Sequence, residues 1–308
     1  YCGASPFLAP ATLMLVAHVE QSGVWLVKGG MYRIAMALEH LLKRHGAHVR
    51  YNSAVSRLLV RDGQVTGVCL ADGEVIEARA VVFNGDVAAL SSGLLGTESM
   101  RAVPRTMPSR RSLSAVTWHM LSPAKGFPLL HHTVFFSGNY ADEFRDVRGA
   151  ARLPQDPTVY VCAQDRGDVD AQHPAGAERI MCLLNAAATA DTNPLAASAV
   201  AQCEERMFDK LARCGLHVDR TVDAPVVTTP SDFHRMFPAT GGALYGAASH
   251  GWMASFSRPG SRCRLRGLYL AGGSTHPGPG LPMAALSGRQ AAQSLLHDLD
   301  QASARGRR

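Results

Sequence analysis

No apolar run in this 308-residue chain reaches the roughly eighteen residues that a membrane-spanning helix needs, which excludes a helical span. Aromatic residues are scarce at 6% and charged ones make up only 18%, against 46% hydrophobic, the balance of a globular protein rather than a disordered or fibrous one. Cysteines are few, odd in number and scattered, at positions 2, 69, 162, 182, 203, 214 and 263, with no C-x-x-C pair. Neither a disulfide framework nor a zinc site is indicated, and a reducing compartment fits. Lysine is rarer still, with four among 31 basic residues, the rest being arginine. The net charge of +6 favours an anionic membrane surface or nucleic acid by long-range attraction. Local clusters form only at Arg258, Arg262, Arg264 and Arg266 and in the tail SARGRR. Without interleaved aromatics these read as solvated surface, not as a nucleic-acid footprint. The phosphate-binding patterns G-x-G-x-x-G and G-x-x-x-x-G-K-[ST] are both missing. The chain opens on Tyr1 instead of Met, in mid-domain sequence, which predicts an N-terminally trimmed protein.

Several elements are legible in what is present. The stretch from Leu8 to Ala17, interrupted by Pro10 and closed by His18 and Glu20, reads as a buried or interfacial helix and has no basic segment before it as a signal peptide would. From Gly29 on, Met31, Ile34, Ala35, Leu38, Leu41 and Leu42 mark the buried face of a helix that Gly46 would cap. Residues 48–86 predict a strand, a three-stranded meander turning at Asp62-Gly63 and Asp72-Gly73, and a strand from Ala80 to Phe83 that ends at Asn84-Gly85-Asp86. Strand-like runs near Ser112–Met120, His132–Phe136, Thr158–Ala163 and Arg179–Leu184, separated by proline-containing loops, predict a second, largely antiparallel sheet. A helix carrying Val200, Cys203, Met207, Leu211 and Cys214 along one stripe would cover it.

The chain closes with a short strand, Leu268 to Ala271, a turn with glycines at 272, 273, 278 and 280, and a helix with Pro282 in its first turn. Glycines let backbone approach a ligand, and the following helix start offers unpaired N–H groups and partial positive charge. A tight surface turn is the alternative reading of the same glycines.

These stretches carry a resemblance. "GGMYRIAMALEHLLKRHGAHVRYNSAVSRLLVRDGQVTGVCLADGEVIEARAVVFNGD" together with "GLYLAGGSTHPGPGLPMAALSGRQAA" resembles the carotenoid (phytoene) desaturase branch of the flavin amine-oxidase superfamily. Within that branch, "YCGASPFLAPATLMLVAHVEQSGVWLVKGGM", "DFHRMFPATGGALYGAASHGWMASFSRPG" and "AGGSTHPGPGLPMAALSG" are most similar to the hydroxyneurosporene/methoxyneurosporene dehydrogenases, the 1-hydroxycarotenoid 3,4-desaturases. The likeness runs from Tyr1 to about Leu299. It implies an α/β fold in which an interrupted FAD-binding domain of the glutathione-reductase-like type accompanies an antiparallel-sheet substrate domain with helices. On that reading 1–27 is a substrate-domain or lid helix, 28–90 the middle segment of the FAD domain, 91–258 the substrate domain, 259–300 the C-terminal FAD segment and 301–308 a disordered tail. The resemblance also implies an upstream stretch on the order of two hundred residues carrying the G-x-G-x-x-G unit.

The activity implied is FAD-dependent desaturation, placing a C=C bond beside the polyene of a 1-hydroxycarotenoid or methoxyneurosporene-type substrate by hydride transfer to flavin. A phytoene desaturase, a carotenoid isomerase, or a flavin-less polyene- or lipid-binding product are the alternatives. The implied location is the inner, cytoplasmic face of a bacterial membrane, peripherally bound, with no nucleic-acid partner. Val55 matches the position whose backbone meets the adenine, although by residue type alone it is equally a strand core residue. Asn84 and Gly85 close the strand returning beneath the cofactor. Gly272, Gly273 and Ser274 match the turn near the pyrophosphate and ribityl chain, and Leu281, Pro282 and Met283 match the helix start beside the isoalloxazine pyrimidine edge. Pro279 stands where the family has a small residue, which removes an N–H and fixes φ. Ser274 and Thr275 offer only hydroxyls where many relatives have an acid. Tyr245, His250 and Trp252 are candidates for a contact with a terminal substrate hydroxyl, or else two core aromatics and a loop histidine. No side chain is assigned as catalytic, since the chemistry centres on the flavin, and no triad is arranged. No metal is expected, because His131-His132, and His45 with His48, lack partners at ligand spacing.

Overall fold

A single turn of 3-10 helix, Ala11–Leu13, leads into α1 (Met14–Gln21), and α2 (Tyr32–Arg44) follows in a computed structural model that describes residues 3–167, 174, 176–222, 224–251 and 253–305. α2 ends as its glycine predicts. Gly46 adopts φ +77°, its N–H donates to the Lys43 carbonyl and that of Ala47 to the Leu42 carbonyl, the paired bonds of a Schellman cap. Burial departs from expectation in α2, and in α1 only the interfacial of the two expected readings stands. Met14, Leu15 and Val19 of α1 are exposed, and so are Met31, Leu38, Leu41 and Leu42 around α2, which buries no residue at all. Periodicity reports an apolar face but not what covers it.

The strand expected ahead of the meander does not form: residues 48–54 belong to no strand among the described residues. The meander itself forms as β1 (Val55–Arg61), β2 (Gln64–Leu70) and β3 (Val75–Glu77), antiparallel in that order. Its first turn places Asp62 at φ +49° and Gly63 at φ +71°, the positive pair that matches the twist of a tight hairpin. β4 (Val81–Phe83) ends at Asn84-Gly85-Asp86, and the Asp86 carboxylate caps α3 (Val87–Ser91) by accepting the Ala88 N–H at 2.8 Å.

The second sheet is built from β5 (Ser114–Ser122), β7 (His132–Phe135), β8 (Val159–Ala163), β9 (Glu178–Ala186) and β11 (Val226–Thr228); β6 (Ala124–Gly126) pairs with β10 (Leu216–Val218), and α4 (Tyr140–Phe144), α5 (Ala197–Arg213) and α6 (Pro230–Met236) lie among them. The five strands are antiparallel in the order β11-β5-β9-β8-β7. One face, carrying Val116, Trp118, Ile180 and Leu184, packs against Val200, Cys203, Met207 and Leu211 of α5. Each fully buried aliphatic side chain there contributes about 2 kcal/mol. The Trp118 indole N–H finds the Glu204 carboxylate at 2.9 Å. Cys214, expected on the stripe, is exposed because the helix has ended one residue earlier.

The chain then returns to the first layer. β12 (Leu268–Leu270) pairs in parallel with β4, Leu268 opposite Val81 and Leu270 opposite Phe83. Leu58, Val65 and Leu90 share one core with Leu265, Leu268 and Leu270, so residues 55–90 and 265–270 form a common layer despite the sheet inserted between them. α7 (Leu281–Arg305) packs through Ala291 on Tyr269 and Ala271 and is pinned by the Tyr269 hydroxyl, which donates to Asp298 at 2.8 Å. The expected disordered tail is corrected in part: no glycine or proline follows Asp300 before Gly306, and the helix continues through Arg305. Residues 306–308 of the tail lie outside the described residues. Among the described residues no helix is long and apolar enough to cross a membrane.

Candidate cofactor site

The parallel pairing of β4 with β12 brings two chain turns to one edge, the carboxyl ends of parallel strands where ligands of α/β sheets bind. Gly272 leaves β12 at φ +112°, and a side chain there would stand 2.8 Å from the Asn84 side-chain oxygen. At Gly85 a β-carbon would lie 2.6 Å from the tip of the Phe83 ring, which would have to shift to admit it. The turn is fastened to α7 through Ser287, whose hydroxyl accepts the Gly272 N–H at 3.1 Å and lies 2.6 Å from the Thr275 hydroxyl. Ser274 faces the other way, its hydroxyl accepting the Val87 N–H at 3.2 Å.

Arg258 holds the opposite side of this turn. Its guanidinium donates to the carbonyls of Tyr245 and Ala247 at 2.8 Å each and of Gly273 at 3.2 Å. Arg258 is therefore buried, which corrects its reading as part of a solvated basic cluster; a run of arginines carries no record of three carbonyls waiting for one of them. Burial lowers its pKa, and the Asp86 charge works against that shift. A cavity of about 400 Å³ opens beside it, bordered by Asp86, Arg105, Arg110, Arg111, Arg258 and Ser274. Burial raises the pKa of Asp86, opposed by the Ala88 N–H and by the charges of Arg258 and Arg111.

Asn84, Gly85, Gly272, Gly273 and Ser274 thus meet at one edge. Leu281, Pro282 and Met283 form the first turn of α7, where Leu281 is 51% exposed and Gly280, at φ +105°, fronts open space. Val55 stands apart, at the start of β1 on the meander sheet; at 40% exposed it is not the strand core residue that its type alone allowed. Tyr245 is drawn to the turn through Arg258, and neighbouring Gly246 packs so closely that a β-carbon would lie 2.9 Å from that of Ser274. His250 is placed elsewhere: its Nε2 accepts the Ser5 N–H at 3.0 Å, and burial, with the Arg148 charge, lowers its pKa. Trp252 lies outside the described residues.

Sequence reasoning missed Asp86, Arg258 and Ser287 as parts of this site. Asp86 was findable, as an aspartate before a short apolar helical run is an N-cap signal. Ser287 was not, because a serine inside a helix announces no tertiary partner. Register also brings Cys162 to His131 and His132, a proximity hidden by the 30 residues separating His132 from Cys162 in the chain.

Glycines at strand ends, followed by an open helix start, suit a phosphate-bearing cofactor with a ring that becomes anionic on reduction. A family model described as flavin containing amine oxidoreductase matches residues 11–296. The chain belongs to this family. Over 303 residues, 98% of this chain and 58% of the relative, it is 53% identical to a hydroxyneurosporene desaturase of Rubrivivax gelatinosus. It is 44% identical to that of Cereibacter sphaeroides, across 97% of this chain and 59% of the relative. A 4,4'-diapolycopene oxygenase of a Methylomonas species is 33% identical, across 97% and 60%. The chain therefore spans about three fifths of the length of the curated relatives it matches. Family and geometry together support FAD, and the residues present fit it: the Gly272 cradle tolerates no side chain, while the space before α7 is open.

Proposed function

We propose that this chain serves an FAD-dependent carotenoid desaturase that places a C=C bond beside the polyene of a 1-hydroxycarotenoid or methoxyneurosporene-type substrate. The observation carrying this reading is the 53% identity to a hydroxyneurosporene desaturase across nearly the whole chain. The fall to 33% for a diapolycopene oxygenase favours desaturation over oxygenation.

FAD, when bound, supplies the hydride acceptance. The chain's part is to bind, orient and exclude water. Gly272, Gly273 and Ser274 would hold the pyrophosphate and ribityl side, with Asn84 and Gly85 beneath and the Val55 backbone at the adenine. The N–H groups of Leu281 and Met283 would face the pyrimidine edge; Pro282, between them, has none. Tyr245 is the best supported substrate contact, since Arg258 ties its main chain to Gly273; His250 and Trp252 complete the proposed set. The shared core of residues 55–90 and 265–270 supports the division into FAD segments 28–90 and 259–300 around a substrate domain at 91–258, with 1–27 as lid. Exposed Leu8, Met14, Leu15, Val19, Val24, Leu26 and Trp25, the last 80% exposed, support peripheral docking on the inner face of a bacterial membrane, where carotenoids dissolve.

The test is turnover of a 1-hydroxycarotenoid in liposomes by the full-length protein, read by mass spectrometry. Loss of two hydrogens with a red-shifted spectrum is expected. An oxygen gained, an isomer of unchanged mass, or polyene binding without flavin would each replace the proposal by the corresponding rival.

A further inference from the structure

The edge strand of the substrate sheet carries a group of donors that flavin chemistry does not use. His131 precedes β7 and His132 opens it; in the antiparallel register His132 stands opposite Cys162 of β8. The two imidazoles meet edge to face with centroids 4.5 Å apart, so adjacent residues turn their rings to the same place. One ring nitrogen from each and the Cys162 sulfur lie within 4.8 Å of one another. Metal-ligand distances of about 2.0–2.1 Å for imidazole and 2.3 Å for thiolate bring donors together at this scale with only small rotations.

Hydrogen bonds hold both rings in place. The His131 Nδ1–H donates to the Arg166 carbonyl at 2.9 Å, which fixes the tautomer and leaves the lone pair on Nε2. Arg166 is itself immobilised: its guanidinium forks onto Glu178 at 2.7 and 2.5 Å with both side chains 1% exposed, and it reaches the Leu129 carbonyl at 3.4 Å. Thus the buried ion pair anchors both the carbonyl that orients His131 and the chain just before it. The His132 Nδ1 lies 2.7 Å from the Tyr160 hydroxyl, a second oriented imidazole. Met181 is the cross-strand neighbour of Cys162 on β9, which adds a soft thioether to the same row.

We propose that His131, His132 and Cys162 bind a thiophilic d10 cation, Zn2+, through two imidazole Nε2 atoms and a thiolate, with a fourth position for water. Two nitrogens and a sulfur match zinc's borderline-soft preference and exclude Mg2+ and Ca2+, which require oxygen donors. Binding displaces the Cys162 thiol proton to solvent, so affinity rises with pH. Among the described residues β8 is the single strand neighbour of β7, and the ion joins the two.

The experiment is zinc titration of chelator-stripped, full-length protein against a chromophoric competitor, with Co2+ as a spectroscopic substitute. One Zn2+ per chain is expected, and Co2+ should give tetrahedral ligand-field bands with a thiolate charge-transfer band. His132→Ala, an exposed position that folding tolerates, should weaken zinc at least about 100-fold, beyond the loss typical of an outer-shell change. Cys162→Ser should abolish the charge-transfer band, and His45→Ala, remote and exposed, should change nothing. Absence of stoichiometric binding, or binding that survives His132→Ala, overturns the site. Tight Cu+ in place of Zn2+, lost in the same variants, overturns the choice of ion.

Discussion

The β-carbon position of Gly272 lies 2.8 Å from the side-chain oxygen of Asn84, so these two residues close the ends of β12 and β4 against each other. At φ +112° a branched residue is strained before it meets any neighbour, by about 1–3 kcal/mol. Gly272→Val in the full-length protein is expected to lower flavin occupancy at least tenfold while leaving the sheet of β5, β7, β8, β9 and β11 folded. The flavin-to-protein absorbance ratio after purification reads this directly, and unchanged occupancy would remove the turn from the cofactor site.

Arg258 satisfies the Tyr245, Ala247 and Gly273 carbonyls with one guanidinium. A lysine keeps the charge but is a point donor without the planar fork, so it cannot span all three. Arg258→Lys should cost about 2–4 kcal/mol, since each buried carbonyl left unpaired costs about 1–3. The loss should appear as a lower unfolding midpoint together with weaker flavin retention, because the same side chain fastens the turn proposed to hold the cofactor to residues 245–247. A stability loss with flavin retention intact would confine Arg258 to packing.

What could be read in the sequence follows from what leaves a local mark. The Asp62-Gly63 hairpin, the Gly46 cap and the glycine turn after β12 each depend on backbone conformations that few residues adopt, and all appear where their residues stand. The stripe on α5 was legible because it meets a sheet within this chain. The stripes of α1 and α2 were just as periodic, yet amphipathicity cannot tell whether a face is covered. Arg258 was misread because its partners are carbonyls, which every residue has. The meeting of His131 and His132 with Cys162 depends on strand register, and no single run of sequence specifies that.

Asp86 gives a pH signature. Burial raises its folded pKa above the ordinary value of 3.8. A carboxyl raised in the folded state binds its proton more tightly there, so the stability it contributes is complete below the unfolded pKa and is lost as pH rises through the folded one. Asp86→Asn keeps the cap on the Ala88 N–H and cannot ionise. The variant is expected to unfold at a higher temperature than the parent at pH 7, the gap closing as pH falls through the raised folded pKa and gone below the unfolded value of about 3.9. A gap independent of pH would assign the effect to capping instead of charge.

The Arg166–Glu178 pair makes the opposite case, an ion pair whose loss should be large because neither charge can reach water. Both side chains are 1% exposed and bound by two parallel hydrogen bonds, at 2.7 and 2.5 Å. Glu178→Gln strands a buried guanidinium and should cost about 3–5 kcal/mol, whereas Arg166→Met with Glu178→Leu removes both desolvation penalties and should cost much less. Salt should hardly alter either number, since a pair sealed from solvent is screened little. Denaturant titrations of Arg166→Met, of Glu178→Leu and of the double variant make the comparison. If the double variant lost the sum of the single losses, the two groups would be acting independently, and the pair could not be what fixes the Arg166 carbonyl beneath His131.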